Sequence, residues 1–278
     1  MNKISAYIKI VRPYNFLITF LAVIIASLVS YQGEFPSMKV LLAAITASLT
    51  MSAGNVINDI YDLNGDKINH PKRPLPSGII SIQSVYIFYL ILLAISLVIS
   101  LFISNLNFVV NFLAVILLYL YSYKFKRVLL VGNLIVSLLT GLAFIYGGMA
   151  VNNIYYSVVP ALFAFLINLI REIVKDIEDS EGDMQEGIIT FALKYGIKTA
   201  LNTIVSLCML LMLLTLYPYL NGNYGGYYLV VILVLVIPVL IYFVLSLLKD
   251  SSRKNLNNLS FLLKLDMVFG LIAVYVGK

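Results

Sequence analysis

Of the 278 residues, 61% are hydrophobic and only 12% charged, whereas a soluble domain is about half apolar and a quarter charged. That balance excludes an ordinary water-soluble fold. It also strips the net charge of +6 of any nucleic-acid meaning, because basic residues flanking apolar spans are the common signature of a membrane protein.

The chain opens on a basic, amphipathic stretch, residues 1–12, before its first apolar run. No small-residue cleavage pattern follows, so this start is expected to be retained and not removed as a signal. Runs of about 20 apolar residues can cross a bilayer as helices. Nine are predicted, at residues 14–31, 38–60, 82–103, 107–123, 128–149, 155–178, 191–217, 227–248 and 258–277. Short polar or Gly/Pro-bearing stretches such as Gln32-Gly-Glu-Phe-Pro36 and Asn221-Gly-Asn-Tyr-Gly-Gly226 separate them. With no long linker or shift in composition, residues 1–278 are expected to form one all-α domain. The single cysteine, Cys208, lies in the apolar run Ser206-Leu-Cys-Met-Leu-Leu and reads as core filling, with no intrachain disulfide available.

Alternating the nine spans places all but Lys39 and Lys278 of the 19 Lys and Arg on one side. The positive-inside rule assigns that side to the cytoplasm, with the N-terminus inside and the C-terminus outside. All 13 Asp and Glu except Glu34 sort to the same side. The rule says little about acids, so their clustering asks for another cause.

Two patterns hold most of these acids. The first, Asn58-Asp59-Ile-Tyr-Asp62-Leu-Asn-Gly-Asp66, closes the second span. A continuing helix would put Asn58, Asp62 and Asp66 on one face; Gly65 is expected to loosen the last turn and leave Asp66 just beyond it. The second, Arg171-Glu172-Ile-Val-Lys175-Asp176-Ile-Glu178-Asp179-Ser-Glu-Gly-Asp183, closes the sixth span. There Glu172, Asp176, Asp179 and Asp183 fall within about 60° of helical arc.

Stacked carboxylates repel one another, and helix C-termini favour cations over anions. A divalent cation removes both costs. The ligands are all oxygen, which suits Mg2+, an ion that takes one or two carboxylates together with waters and substrate phosphates. Two facing stripes would hold metal ions that in turn hold a diphosphate. The plain alternative is that such acids merely solvate helix ends. A calcium loop is rejected, because Lys67 stands where its glycine belongs and Arg73 replaces the closing Glu. His70, the only histidine, reads as a loop residue and cannot alone build a zinc site.

These residues resemble the two aspartate-rich motifs of the UbiA superfamily of intramembrane prenyltransferases. The resemblance extends to Arg12-Pro-x-Asn15, to Arg73-Pro-Leu-Pro-Ser-Gly78 and to Tyr121-Ser-Tyr-Lys-Phe-Lys126-Arg127. It implies nine transmembrane helices around a central cavity, with Mg2+ as cofactor. Asn58, Asp62 and Asp66 would form one metal set and Asp176, Asp179 and Asp183 another. Asp62, Asp66, Asp179 and Asp183 would be catalytic, while Asp59 and Glu172 orient waters or basic side chains. Arg12, Asn15, Lys72, Arg73, Lys126, Arg127 and Lys175 become candidates for a diphosphate or an acceptor phosphate.

The run from Arg171 to Asp183 is most similar to the superfamily's archaeal ether-lipid branch. That likeness implies transfer of geranylgeranyl from its diphosphate to the free hydroxyl of geranylgeranylglyceryl phosphate. The expected partners are these two lipids and the surrounding membrane, with no nucleic acid. The expected location is the plasma membrane, with the active site facing the cytoplasm. Two other readings stay open: a related enzyme with an aromatic or tetrapyrrole acceptor, and a cation transporter. A transporter should carry ionisable groups near the bilayer midplane.

Overall fold

A backbone crossing hydrocarbon must satisfy its own hydrogen bonds, which leaves helices for runs this apolar. The computed structural model describes residues 2–32, 34–180, 184 and 189–278. Among them are nine helices long and apolar enough to span a membrane, so the chain is a multi-pass, all-α membrane protein. In chain order the elements begin with α1 (Lys3–Ile10), α2 (Pro13–Ser30), α3 (Ser37–Tyr61), α4 (Leu63–Asn69), α5 (Ile82–Leu101) and α6 (Asn105–Tyr123). They continue with α7 (Val131–Ala150), α8 (Val158–Glu178), α9 (Phe191–Tyr195), α10 (Ile197–Leu220), α11 (Gly226–Val231), α12 (Ile237–Lys249) and α13 (Arg253–Gly277).

Three details differ from expectation, each for a local reason. The seventh span starts at Ile197, because Gly196, at φ 86° and ψ 151°, takes a conformation that essentially only glycine enters and cuts off the short α9. The eighth span is one helix with a π turn at Ile232–Val236, where the Ile237 N–H reaches back five residues to the Ile232 carbonyl. Pro238, which has no N–H to donate, follows directly. The ninth span begins at Arg253, five residues earlier than expected, and Lys264 and Asp266, counted above with the charges of one side, lie near the middle of this 25-residue helix.

The chain divides into two compact units. Unit 1 comprises Met1–Lys126 and Ala143–Tyr155; unit 2 comprises Arg127–Leu142 and Tyr156–Lys278. Unit 1 is built on α3, which packs against α2, α5 and α6. Its core joins Ala53, Val56 and Ile57 of α3 to Ala6, Ile10, Val85 and Leu92. Small residues let the backbones approach, as membrane packing favours. At Gly147 a Cβ would come within 2.5 Å of the Val23 carbonyl, and the Ser27 hydroxyl donates to the Gly147 carbonyl at 2.9 Å. Polar side chains bridge helices too, as where Thr50 Oγ1 donates to Asn111 Oδ1 at 2.7 Å.

In unit 2, α8 and α13 pack together and α10 packs on α8. Gly141 lies so close to the Ala161 carbonyl that a Cβ would stand 2.7 Å from it. The ends are pinned by the Tyr228 hydroxyl, which donates to the Thr215 carbonyl at 2.7 Å, and by the Gly225 N–H on the Gly277 carbonyl at 2.7 Å.

Candidate active site

Unit 1 presents the first acidic set where α3 ends. The helix breaks at Asp62 (φ −89°, ψ 2°) and resumes as α4, which contains Gly65 and Asp66. The expected loosening at Gly65 is therefore misplaced by a turn. The break lets Asp62 and Asp66 take different neighbours, and each meets a cation. Lys126 pairs with Asp62 Oδ2, to which Asn58 Nδ2 also donates at 2.6 Å. Arg73 Nη1 donates to both oxygens of Asp66, at 2.7 and 2.6 Å. Asp59, one turn before Asp62 on α3, is buried and binds Arg12 Nη2 at 2.7 Å.

The sequence reading took a bound cation as the remedy for stacked acids; here basic side chains from α4's following loop, from residue 126 and from residue 12 supply it. Arg12 itself sits in the left-handed region (φ 56°) between α1 and α2. That conformation is uncommon for a non-glycine residue and directs the chain from α1 into α2. Asn15 lies in the first turn of α2, its N–H donating to the Arg12 carbonyl at 2.9 Å. Lys72 is exposed beside Arg73.

Unit 2 presents the second set at the end of α8. The helix stops at Glu178, and Asp179 caps it with its N–H on the Lys175 carbonyl at 2.8 Å. Glu172 is buried and held by its own helix, by Arg171 at 2.8 Å and by Lys175 at 3.3 Å. Asp176 accepts from Asn133 Nδ2 at 2.8 Å. Arg127 is exposed. Asp183 lies outside the described residues.

Among the described residues no three Asp, Glu, His or Cys side chains converge as a metal cluster. A different observation bears on fit. Asn58 Oδ1 is buried without a hydrogen-bond partner among the described residues, next to two carboxylates. An unsatisfied buried oxygen is costly, and a hard cation with oxygen ligands would satisfy it. The donor set of unit 1 therefore fits Mg2+.

Asn133 escaped the sequence reading, although a lone amide in the first turn of an apolar span is a readable signal. Asp266 was misplaced. It is buried at 1% exposure, beside Cys208, and neither carboxylate oxygen has a hydrogen-bond partner among the described residues. On the same helix Asn257 donates to Glu178 at 2.8 Å. Asp266 stands nine residues further on, about 13 Å at 1.5 Å per residue. It is thus too deep to reach a proton at the level where α8 ends.

The chain matches the UbiA prenyltransferase family over residues 16–265. It belongs to that family. The enzyme is accordingly a prenyltransferase, and its relatives sharpen the picture. Digeranylgeranylglyceryl phosphate synthase of Methanocaldococcus jannaschii is 38% identical, the match covering 100% of this chain and 97% of the relative. The enzyme of that name from Methanococcus aeolicus is 37% identical over 99% and 98%. A solved structure of digeranylgeranylglyceryl phosphate synthase superposes with a TM-score of 0.78 at 37% identity, covering 100% of this prenyltransferase and 99% of that chain. A UbiA homolog from Archaeoglobus fulgidus, bound to DMAPP and Mg2+, gives a TM-score of 0.69 at 20% identity over 97% and 99%; at that identity it speaks for the fold alone.

Proposed function

We propose that this prenyltransferase transfers a geranylgeranyl group from geranylgeranyl diphosphate to the free hydroxyl of geranylgeranylglyceryl phosphate, using Mg2+. The observation that carries the acceptor is the 38% identity, over the whole chain, to an enzyme named for that product. The chemistry rests on the site: oxygen ligands backed by Lys126 and Arg73 suit a metal-bound diphosphate.

Asn58, Asp62 and Asp66 would hold one metal, and Asp176, Asp179 and Asp183 another. Bound Mg2+ supplies a Lewis acid that offsets the charge developing on the leaving diphosphate. Lys126, Arg73 and Lys72 bind diphosphate oxygens, with Arg127 and Lys175 available for the acceptor's phosphate. Arg12 serves Asp59 and so holds the turn that bears the first set. The allylic C–O bond breaks with its electron pair going to the diphosphate. The acceptor oxygen bonds to the freed carbon and gives its proton to an aspartate or to the released diphosphate. The basic sides of both sets face the cytoplasm, in the plasma membrane, under the positive-inside rule.

The test offers purified protein Mg2+ and geranylgeranyl diphosphate with three acceptors in parallel: geranylgeranylglyceryl phosphate, 4-hydroxybenzoate and chlorophyllide. Product on the glycerol lipid is expected. Product on only the aromatic or chlorin acceptor overturns the acceptor assignment.

A further inference from the structure

In unit 1 the carboxylates that would receive a metal are already neutralised. Asp62 and Asp66 are the buried partners, at 17% and 7% side-chain exposure, while Lys126 and Arg73 stand outside them at 30% and 32%. The two cations therefore cover the two anions from the solvent side, and their charges cancel. A bare divalent ion arriving there finds no net negative field and must push two positive charges aside, keeping them close by in a poorly screened site. A diphosphate arriving alone can draw off the cations, but it then faces two stripped carboxylates. Brought together, each ligand removes the other's obstacle: the diphosphate takes the cations and the metal takes the carboxylates. Asn58 Oδ1, buried and without a hydrogen-bond partner among the described residues, completes the oxygen set once Lys126 leaves.

We infer that the unit 1 set accepts a divalent metal only together with a diphosphate, Lys126 and Arg73 transferring from Asp62 and Asp66 to the diphosphate oxygens. This rests on the metal role given to Asn58, Asp62 and Asp66 above. It makes Lys126 and Arg73 specificity-determining residues that refuse free metal. Monophosphates are refused as well, because a single phosphate carries too little charge to hold both cations while it also shares the metal. The long side chains make the transfer feasible without backbone movement, since both are already one-third exposed.

Mn2+, an oxygen-seeking stand-in for Mg2+, provides the readout. Its binding to the purified protein in detergent is followed by electron paramagnetic resonance, with protein-free controls correcting for Mn2+–pyrophosphate complexes. Binding that is lost in Asp62→Asn defines the unit 1 site. In the wild type that binding should be weak with Mn2+ alone. It should strengthen by about 5- to 150-fold, the usual range for linked ligands, on adding inorganic pyrophosphate but not inorganic phosphate. Lys126→Met should bind Mn2+ without pyrophosphate at least about fivefold more tightly than the wild type, and Lys126→Arg should behave as the wild type. Equal wild-type affinity with and without pyrophosphate overturns the inference, even if Lys126→Met fails to fold, while leaving the metal assignment standing. Mn2+–pyrophosphate binding undiminished in Asp62→Asn overturns the metal assignment and the inference with it.

Discussion

The two acidic sets look alike in sequence and are neutralised in different ways. In unit 1 two of the three counter-charges come from afar: Arg12 lies 47 residues from Asp59, and Lys126 lies 64 residues from Asp62, while Arg73 lies seven residues from Asp66. In unit 2 Glu172 is held by Arg171 and Lys175, within a turn of the same helix, and Asp176 is met by a neutral amide. The first set therefore exists in its observed form only when the tertiary structure is complete. In unit 2 the pairing of Glu172 with Arg171 and Lys175 is in place once α8 is wound. A carboxylate buried against a distant cation loses far more when that cation is removed than one with two local partners.

The largest effect should erase the likeness and leave the contrast. Asp62→Ala and Asp179→Ala should each lower prenyl transfer by about 10²–10³-fold or more, with protein still monodisperse in detergent. Full activity in either variant removes that set from the reaction. Next, Arg12→Ala should cost about 1–3 kcal/mol in unfolding, since it strands Asp59, whose side chain is 4% exposed, while Arg12 is 34% exposed and partly screened. Lys175→Ala should cost only about 0.5 kcal/mol, because Arg171 still serves Glu172. Equal losses, read from thermal unfolding in one detergent, would erase the distinction between distant and local pairing.

A smaller change sharpens the second set. Asn133→Ala removes the amide on Asp176 and should lower stability by about 1 kcal/mol, with a larger fractional loss of activity than of stability if Asp176 must be oriented. The least costly substitution should be at Asp266, a buried acid whose oxygens have no hydrogen-bond partner among the described residues. Asp266→Leu replaces a buried carboxyl with no hydrogen-bond partner among the described residues by an apolar group, so the thermal midpoint should hold or rise. A drop of about 2 kcal/mol or more would mean that Asp266 has a partner in the membrane.

The helices were legible because a bilayer imposes length and apolarity on every span, and the site because like charges recur at helical spacing against their own repulsion. Pairing was not legible. Nothing in Asn58-Asp-x-x-Asp62 tells that Lys126 arrives from the turn after α6, or that the helix breaks at Asp62 and not at Gly65, since both depend on packing between distant segments. Asp266 was misread for a related reason. Counting charges by side assigns every charge to a helix end, whereas Asp266 lies well inside α13 among buried neighbours such as Leu259 and Leu263.

Cys208 carries a practical consequence. It is the chain's one cysteine, and it is free and buried, so the native protein should stay dark to membrane-impermeant thiol dyes. A cysteine introduced at an exposed position, such as Ile4 in α1 or Met38 at the start of α3, would then report sidedness against a blank background. Intact vesicles would show directly which ends of the helices look into the cell.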